Sequence, residues 1–229
     1  MIMSFINHKV LIGFLLFSSV LRGQENLTSF FEPRLAINYS LSNLYSHNWA
    51  IANRYAIYQS NEIKFNARQF FLEHFSNFKI MENQSLGLGV SYRLSQIFEE
   101  ERVNEFRITE QYNLFYRPHI VRYGHRFRAE QRITSLQSFH RFRYRFTIDL
   151  PLNGQNSDVG KSYFIAYTET LLNVGEGLAP IYDQRFSANF GWLLTRATKL
   201  QIGSEYRLLY SSGIVQNILL WRTSVILSL

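Results

Sequence analysis

Residues Phe139–Leu150 read FHRFRYRFTIDL, and they decide the fold. Phe142, Tyr144, Phe146, Ile148 and Leu150 share one parity. Arg141, Arg143, Arg145, Thr147 and Asp149 share the other. A period of two puts successive side chains on opposite faces of a β-strand. On a helix the same arginines would scatter around the axis.

The pattern spreads in both directions. In Tyr123–Ile133 the polar face holds Arg126, Arg128, Glu130 and Arg132. In Glu105–Arg117 one face carries Phe106, Ile108, Tyr112, Leu114 and Tyr116. In Gln184–Leu194, Phe186, Ala188, Phe190, Trp192 and Leu194 oppose Arg185, Ser187, Asn189 and Gly191. In Lys199–Tyr210, Leu200, Ile202, Tyr206 and Leu208 oppose Gln201, Gly203, Glu205 and Arg207. The last segment, Gln216–Leu229, aligns Leu219, Trp221, Thr223, Val225, Leu227 and Leu229. Fainter strands fall near Arg34–Leu41, Trp49–Tyr58, Ile63–Phe75, Gln84–Ile97 and Ser162–Leu172. Between them lie clusters of Gly, Pro, Asn, Ser and charge, the composition of turns; Asn77–Asn83, Pro118–Val121 and Ser211–Val215 are three. The Glu99–Arg102 run (EEER) reads as a solvated loop. No helical stripe of useful length and no domain linker interrupts the series.

Composition limits the classes. Of 229 residues, 46% are apolar and 16% aromatic, too many for a disordered chain. There is no cysteine. Disulfide frameworks, cysteine zinc sites, iron–sulfur clusters, thiol catalysis and an N-terminal lipidated cysteine are therefore excluded. At the start, Lys9 precedes the apolar run Val10–Leu21 (VLIGFLLFSSVL). The run is shorter than the roughly 20 residues a membrane helix needs. A cation, a short apolar core and small residues describe a secretory signal peptide. We expect residues 1–23 to be that signal, cut after Gly23, and 24–229 to form one β-barrel domain.

An alternating sheet can face either way. In a soluble barrel the aromatic face is the core. In an outer-membrane barrel it meets lipid, and the charged face lines the lumen. The export signal favours the membrane. So does the mixture of signs on the polar face, which can pair with itself in a narrow interior. A third argument is the final strand, which runs to the last residue and ends apolar, as closing strands of bacterial barrels do. The expected fold is thus an all-β, transmembrane, antiparallel up-and-down β-barrel. The segments number eleven, but single-chain bacterial barrels have even numbers, so twelve strands are expected, with ten as the alternative. Arg126, Arg128, Glu130, Arg132, Arg141, Arg143, Arg145, Asp149, Glu169, Arg185, Glu205 and Arg207 are the expected lumen-lining charged cluster. Within it, Arg126, Arg128, Arg141, Arg143 and Arg145 are expected to meet Glu130, Asp149, Glu169 or Glu205.

Five segments resemble the bacterial outer-membrane barrel family called domain of unknown function 2490. They are RYGHRFRAEQR (122–132), FHRFRYRF (139–146), YFIAYTETLLN (163–173), YDQRFSANFGW (182–192) and LQIGSEYRLLY (200–210). The resemblance covers the last half of the chain well and the first half loosely. It implies a β-barrel with a recurrent arginine-rich hairpin. A strand ending in Glu and Asn and a following Asp-Gln-Arg start recur too, here Glu169, Asn173, Asp183, Gln184 and Arg185. It brings no catalytic residues. The signal ending in Gly-Gln looks like those of exported Bacteroidota proteins.

Catalysis finds little support. Among His47, His74, His119, His125 and His140, the last pairs best with a nucleophile, Ser138. No third residue orients that imidazole. No histidines have metal-ligand spacing on one face. Arginines and aromatics point opposite ways, unlike nucleic-acid-binding sheets, where rings and cations stand together. The expected chain has no catalytic, metal or cofactor site. Its expected partners are outer-membrane lipid and, during insertion, the barrel-assembly machinery. Its net charge of +7 falls to +5 when Lys9 and Arg22 leave with the signal, and the arginines expected in the lumen bias a pore toward anions. A structural or narrow, anion-preferring transport role is the first reading. A rim-active lipid-modifying or hydrolytic enzyme is the second, and a secreted soluble ligand-binding barrel the third.

Overall fold

The computed structural model describes residues 27–60, 62–95, 103–152 and 158–229. The expected signal peptide and the EEER run lie outside them. Eleven strands make up the described fold: β1 (Leu27–Ser40), β2 (Tyr45–Gln59), β3 (Glu62–Met81), β4 (Gln84–Ser95), β5 (Glu105–Tyr116), β6 (Arg122–Thr134), β7 (Ser138–Pro151), β8 (Ser162–Val174), β9 (Ile181–Leu193), β10 (Thr198–Ser211) and β11 (Ile214–Ser228). Each pairs with its neighbours in sequence, and β1 pairs with β11, so the sheet closes into a barrel.

The barrel has eleven strands, and the expectation of twelve or ten is corrected. The even rule assumes that first and last strands meet antiparallel. Strands that alternate in direction make the eleventh run the same way as the first. The seam is accordingly a parallel ladder, from Leu27 opposite Asn217 to Asn38 opposite Ser228. Every other pair is antiparallel. Parallel bonds are slanted and slightly weaker per residue, but twelve residues in register leave no open edge. A second correction concerns β3. It continues through Asn77 and Phe78 to Met81, where a turn was expected, because Phe78 still pairs with Leu86 and with Tyr45 across the two neighbours.

Turns are built by residues suited to them. Ser212 and Gly213 both take positive φ, 49° and 83°, between the paired Ser211 and Ile214. Two such residues twist a hairpin in the sense its strands require. Within β4, Gly89 has another task. A Cβ there would lie 2.4 Å from the Phe75 ring, so the missing side chain is what lets that ring fold over the sheet.

The register fixes the two faces. Arg126 stands opposite Arg145, Arg128 opposite Arg143 and Glu130 opposite Arg141. Arg145 stands opposite Glu169 in turn, and Glu169 opposite Arg185. This face turns inward, where Glu105, Glu130, Glu169 and Glu205 are each at most 2% exposed. The aromatic face turns outward, and Phe127, Phe142, Phe186 and Phe190 are each about half exposed.

Candidate functional site

The inner wall is a belt of ion pairs, and it begins from a conflict. Arg126 and Arg145 are direct cross-strand partners, as are Arg128 and Arg143, Arg107 and Arg132, and Arg207 and Arg185. Like charges so placed destabilise a sheet. The barrel resolves this with buried carboxylates set among the guanidinium groups, directly opposite them, diagonally, or two residues along the same strand.

Glu169 is the most crowded of these hubs. It accepts from Arg143 at 2.6 Å, Arg145 at 2.9 Å and Arg126 at 3.2 Å, with Arg185 at 3.8 Å. Glu130 pairs with Arg143 at 2.5 Å and Arg132 at 2.7 Å, with Arg128 at 3.7 Å. Glu105 holds Arg93 at 3.0 Å, Arg132 at 3.4 Å, and Arg107. Arg132 thus bridges Glu105 to Glu130, and Arg143 bridges Glu130 to Glu169. Arg185 continues to Asp183. The chain of contacts runs from β4 to β9 without a break.

A second run crosses the parallel seam. Glu205 on β10 takes Arg207 at 2.6 Å and Arg222 at 2.8 Å. Arg222 on β11 reaches Glu32 on β1 at 3.9 Å, and Glu32 pairs with Arg54 on β2. Tyr167 donates its hydroxyl to Glu205 and accepts from Arg222. Burying such charges gives little net stability. Removing one partner is costly, because the other charge stays behind.

Of the expected cluster, the structure brings Arg126, Arg128, Glu130, Arg132, Arg143, Arg145, Glu169, Arg185, Glu205 and Arg207 into these two runs. Asp149 shares the inward parity of β7 and meets Arg122 at 2.5 Å near the end of the strand, apart from the two runs. One expectation needs correction. Arg141 makes no ion pair with a carboxylate among the described residues. Its Nε donates to Asn173, since its cross-strand neighbour on β6, Glu130, has both oxygens taken by Arg132 and Arg143. The sequence reading missed Glu32, Arg34, Arg54, Glu73, Arg93, Glu105, Arg107, Asp183 and Arg222 as members. Inward parity was the available signal: Arg222 opposes Leu219 and Trp221 in the final strand, as Glu32 and Arg34 oppose Phe31 and Leu35.

Inside the belt remains a cavity of about 590 Å³. Thirteen arginines line it, against the carboxylates of Glu32, Glu73, Asp183 and Glu205. Even with the more deeply buried Glu105, Glu130 and Glu169, cations predominate. Two aromatic side chains of β3 complete the lining. Arg128 lies over the Phe75 ring at 5.0 Å and Arg107 over Phe71 at 5.8 Å.

The interior offers an excess of cationic N–H donors over carboxylates, the groups that make charge-assisted hydrogen bonds. The histidines stand elsewhere. His125 faces outward and meets the Tyr144 hydroxyl at 2.9 Å. His47 and His74 meet at 3.0 Å on the outer wall beside Trp49. His140 and Ser138 share the outward parity of β7, opposite Gln131 and Ile133. No group of three His, Cys, Asp or Glu among the described residues is arranged to hold a metal.

A family model described as "Protein of unknown function (DUF2490)" matches residues 33–217. The match extends over the first strands as well as the arginine-rich ones. Neither a curated protein nor a solved structure matches the chain.

Proposed function

We propose, from the premise that this chain belongs to the DUF2490 family of proteins of unknown function, that it is a bacterial outer-membrane β-barrel. Its role in this reading is structural or narrow transport, with a preference for anions. The observation that carries the reading is the outer wall. Leu88 is 62% exposed, and Trp49, Ile51, Phe78, Leu86, Ile202 and Trp221 are all exposed too. From Phe70 onward the outward positions of the described strands hold one carboxylate, Glu110, and no lysine or arginine. Soluble monomers rarely expose an apolar patch beyond a few hundred Å², and this one encircles the barrel.

Aromatic side chains at both rims support the same reading. Tyr39, Tyr116, Tyr123 and Trp192 mark one end, and Phe106, Tyr182 and Tyr210 the other. Aromatic girdles of this kind sit at the two interfaces of membrane barrels. The anion preference follows from the excess of arginine in the cavity, and the narrowness from the ion-pair belt that fills much of the lumen.

The test is fractionation followed by conductance. The protein should sediment with outer membrane, resist alkaline extraction, and migrate differently in a denaturing gel before and after boiling. Reconstituted in planar bilayers, it should pass chloride in preference to potassium if it conducts. Protein that stays folded and monodisperse in buffer without detergent would sink the membrane reading. A cation-selective conductance would sink the anion preference.

A further inference from the structure

Arg141 stands apart from the other lumen arginines. Its Nε is held by Asn173, while no ion pair joins its guanidinium to a carboxylate among the described residues. Its cross-strand neighbour Glu130 and the cavity-lining Asp183 both pair with other arginines. Glu130 has both oxygens bound by Arg132 and Arg143. Asp183 holds Arg185 through Oδ2, and its Oδ1 is buried without a partner. Arg132, Arg185 and Arg143 press their own positive charge on Arg141, and Glu130, already shared between Arg132 and Arg143, offsets it only in part. All four arginines line the cavity. Arg132 and Arg185 are themselves 3% and 7% exposed, so water screens them poorly.

A guanidinium with no ion pair of its own among buried cations is costly unless something anionic faces it. The free edge of Arg141 is two-pronged, and planar forks of this shape match the oxygens of phosphate and carboxylate groups. We propose that the lumen holds a binding site for a small phosphorylated or polycarboxylated anion, seated on the free edge of Arg141 and flanked by Arg132 and Arg185. The proposal deepens the anion-preferring reading above and rests on it. It adds a defined seat, where that reading needs only a diffuse positive field.

Inorganic pyrophosphate is the probe. Thermal unfolding of the full folded chain is followed with pyrophosphate or with sodium chloride at matched ionic strength, in whichever medium, micelle or buffer, the fractionation shows it to need. Pyrophosphate should raise the Tm well beyond chloride, and titration should saturate at one molecule per barrel. Arg141→Gln should weaken the affinity by about tenfold or more, the scale of a lost charge-assisted hydrogen-bonded contact. Arg122→Gln removes a rim charge paired with Asp149 and should leave the affinity unchanged. Without pyrophosphate, Arg141→Gln should melt no lower than the parent, because it relieves repulsion. If that variant fails to fold, Arg141→Lys serves instead, keeping the charge but losing the fork, and should show an intermediate affinity.

A pyrophosphate effect no larger than that of chloride overturns the proposal. So does equal weakening by Arg141→Gln and Arg122→Gln, which would show general attraction without a seat. Anion-selective conductance with no pyrophosphate effect would remove the site and leave the channel reading intact. Saturable binding without conductance would keep the site and remove transport.

Discussion

Two arcs of the inner wall face one another across the cavity, and they are made of opposite materials. On β6, β7 and β8 the inward positions carry Arg126, Arg128, Glu130, Arg132, Arg141, Arg143, Arg145 and Glu169. On β2, β3 and β4 they carry Ala50, Ala52, Ala56, Phe71, Phe75, Gly87 and Gly89, with Arg54, Glu73 and Arg93 between. Long side chains on one arc need room, and the small residues opposite provide it. The charged arc supplies the field, and the small arc sets how much of the lumen stays open. The difference shows that a barrel of this size is filled by complementary halves rather than by one uniform lining.

The sharpest way to break this comparison is to remove a hub from the charged arc and a carboxylate from the small one. Glu169→Gln leaves Arg126, Arg143, Arg145 and Arg185 around a neutral group. Stranding buried charges costs about 3–5 kcal/mol, so the folded state should be lost or severely weakened. Glu73 has Arg34 as its ion-pair partner at 2.5 Å, and both side chains are partly exposed, 19% and 29%. Among the described residues Glu73 has one ion-pair partner where Glu169 has four, so Glu73→Gln should cost clearly less than Glu169→Gln. Denaturant unfolding of both variants, read by circular dichroism, checks the ranking. Equal losses would mean that the belt is no more than a set of independent surface-like pairs.

A smaller effect should come from the small arc itself. Gly89→Ala places a methyl against the Phe75 ring, where the ideal Cβ lies 2.4 Å from a ring carbon. The ring must swing away, and overpacking of this kind costs about 1–3 kcal/mol. Gly87→Ala is tight only against the Asn77 Oδ1 at 3.0 Å, the end of a side chain that can turn, with Gln111 at ordinary contact distance, and should cost clearly less. In a Phe75→Ala background Gly89→Ala should cost much less than in the parent. An equal cost in both backgrounds would place the strain in the backbone and not in the ring.

The same contrast explains what could be read from the sequence. On β6 and β7 arginine alternates with Phe and Tyr, the largest polarity difference a strand can show, so faces and register stood out. On β2 inward Ala50 and Ala52 alternate with outward Trp49 and Ile51. Both faces are apolar, and the period of two fades. On β3 inward Phe71 and Phe75 lie among outward Phe70 and Leu72, with the same result. Arg54, Glu73 and Arg93 then looked isolated, although each occupies an inward position. The run across the seam was hidden for another reason. Arg222 and Glu32 meet because β11 closes on β1, and no single strand records that pairing. The strand number was lost differently: eleven segments were countable, and the evenness of bacterial barrels overrode the count without regard to a parallel seam.

The finest test asks whether the two arcs hold one another. Arg128 reaches from β6 to lie over the Phe75 ring of β3, 5.0 Å from its centroid. It is also tied to its own side of the wall, donating from Nε to Gln111 at 3.0 Å. A cation over an aromatic face is worth about 0.5–1 kcal/mol when exposed and about 2 when desolvated. Phe75→Leu keeps an apolar side chain beneath Gly89, and Arg128→Gln keeps a polar group near Gln111. Neither variant alone isolates the contact, since the first changes packing and the second also relieves repulsion from Arg143. The double-mutant cycle cancels those separate effects and leaves the coupling between the two residues. A coupling of about 1 kcal/mol in micelle unfolding would show the cation and the ring joining the arcs across the lumen. A value near zero, with each single variant still costly, would show arcs that pack independently, and the small residues would then serve only to leave space.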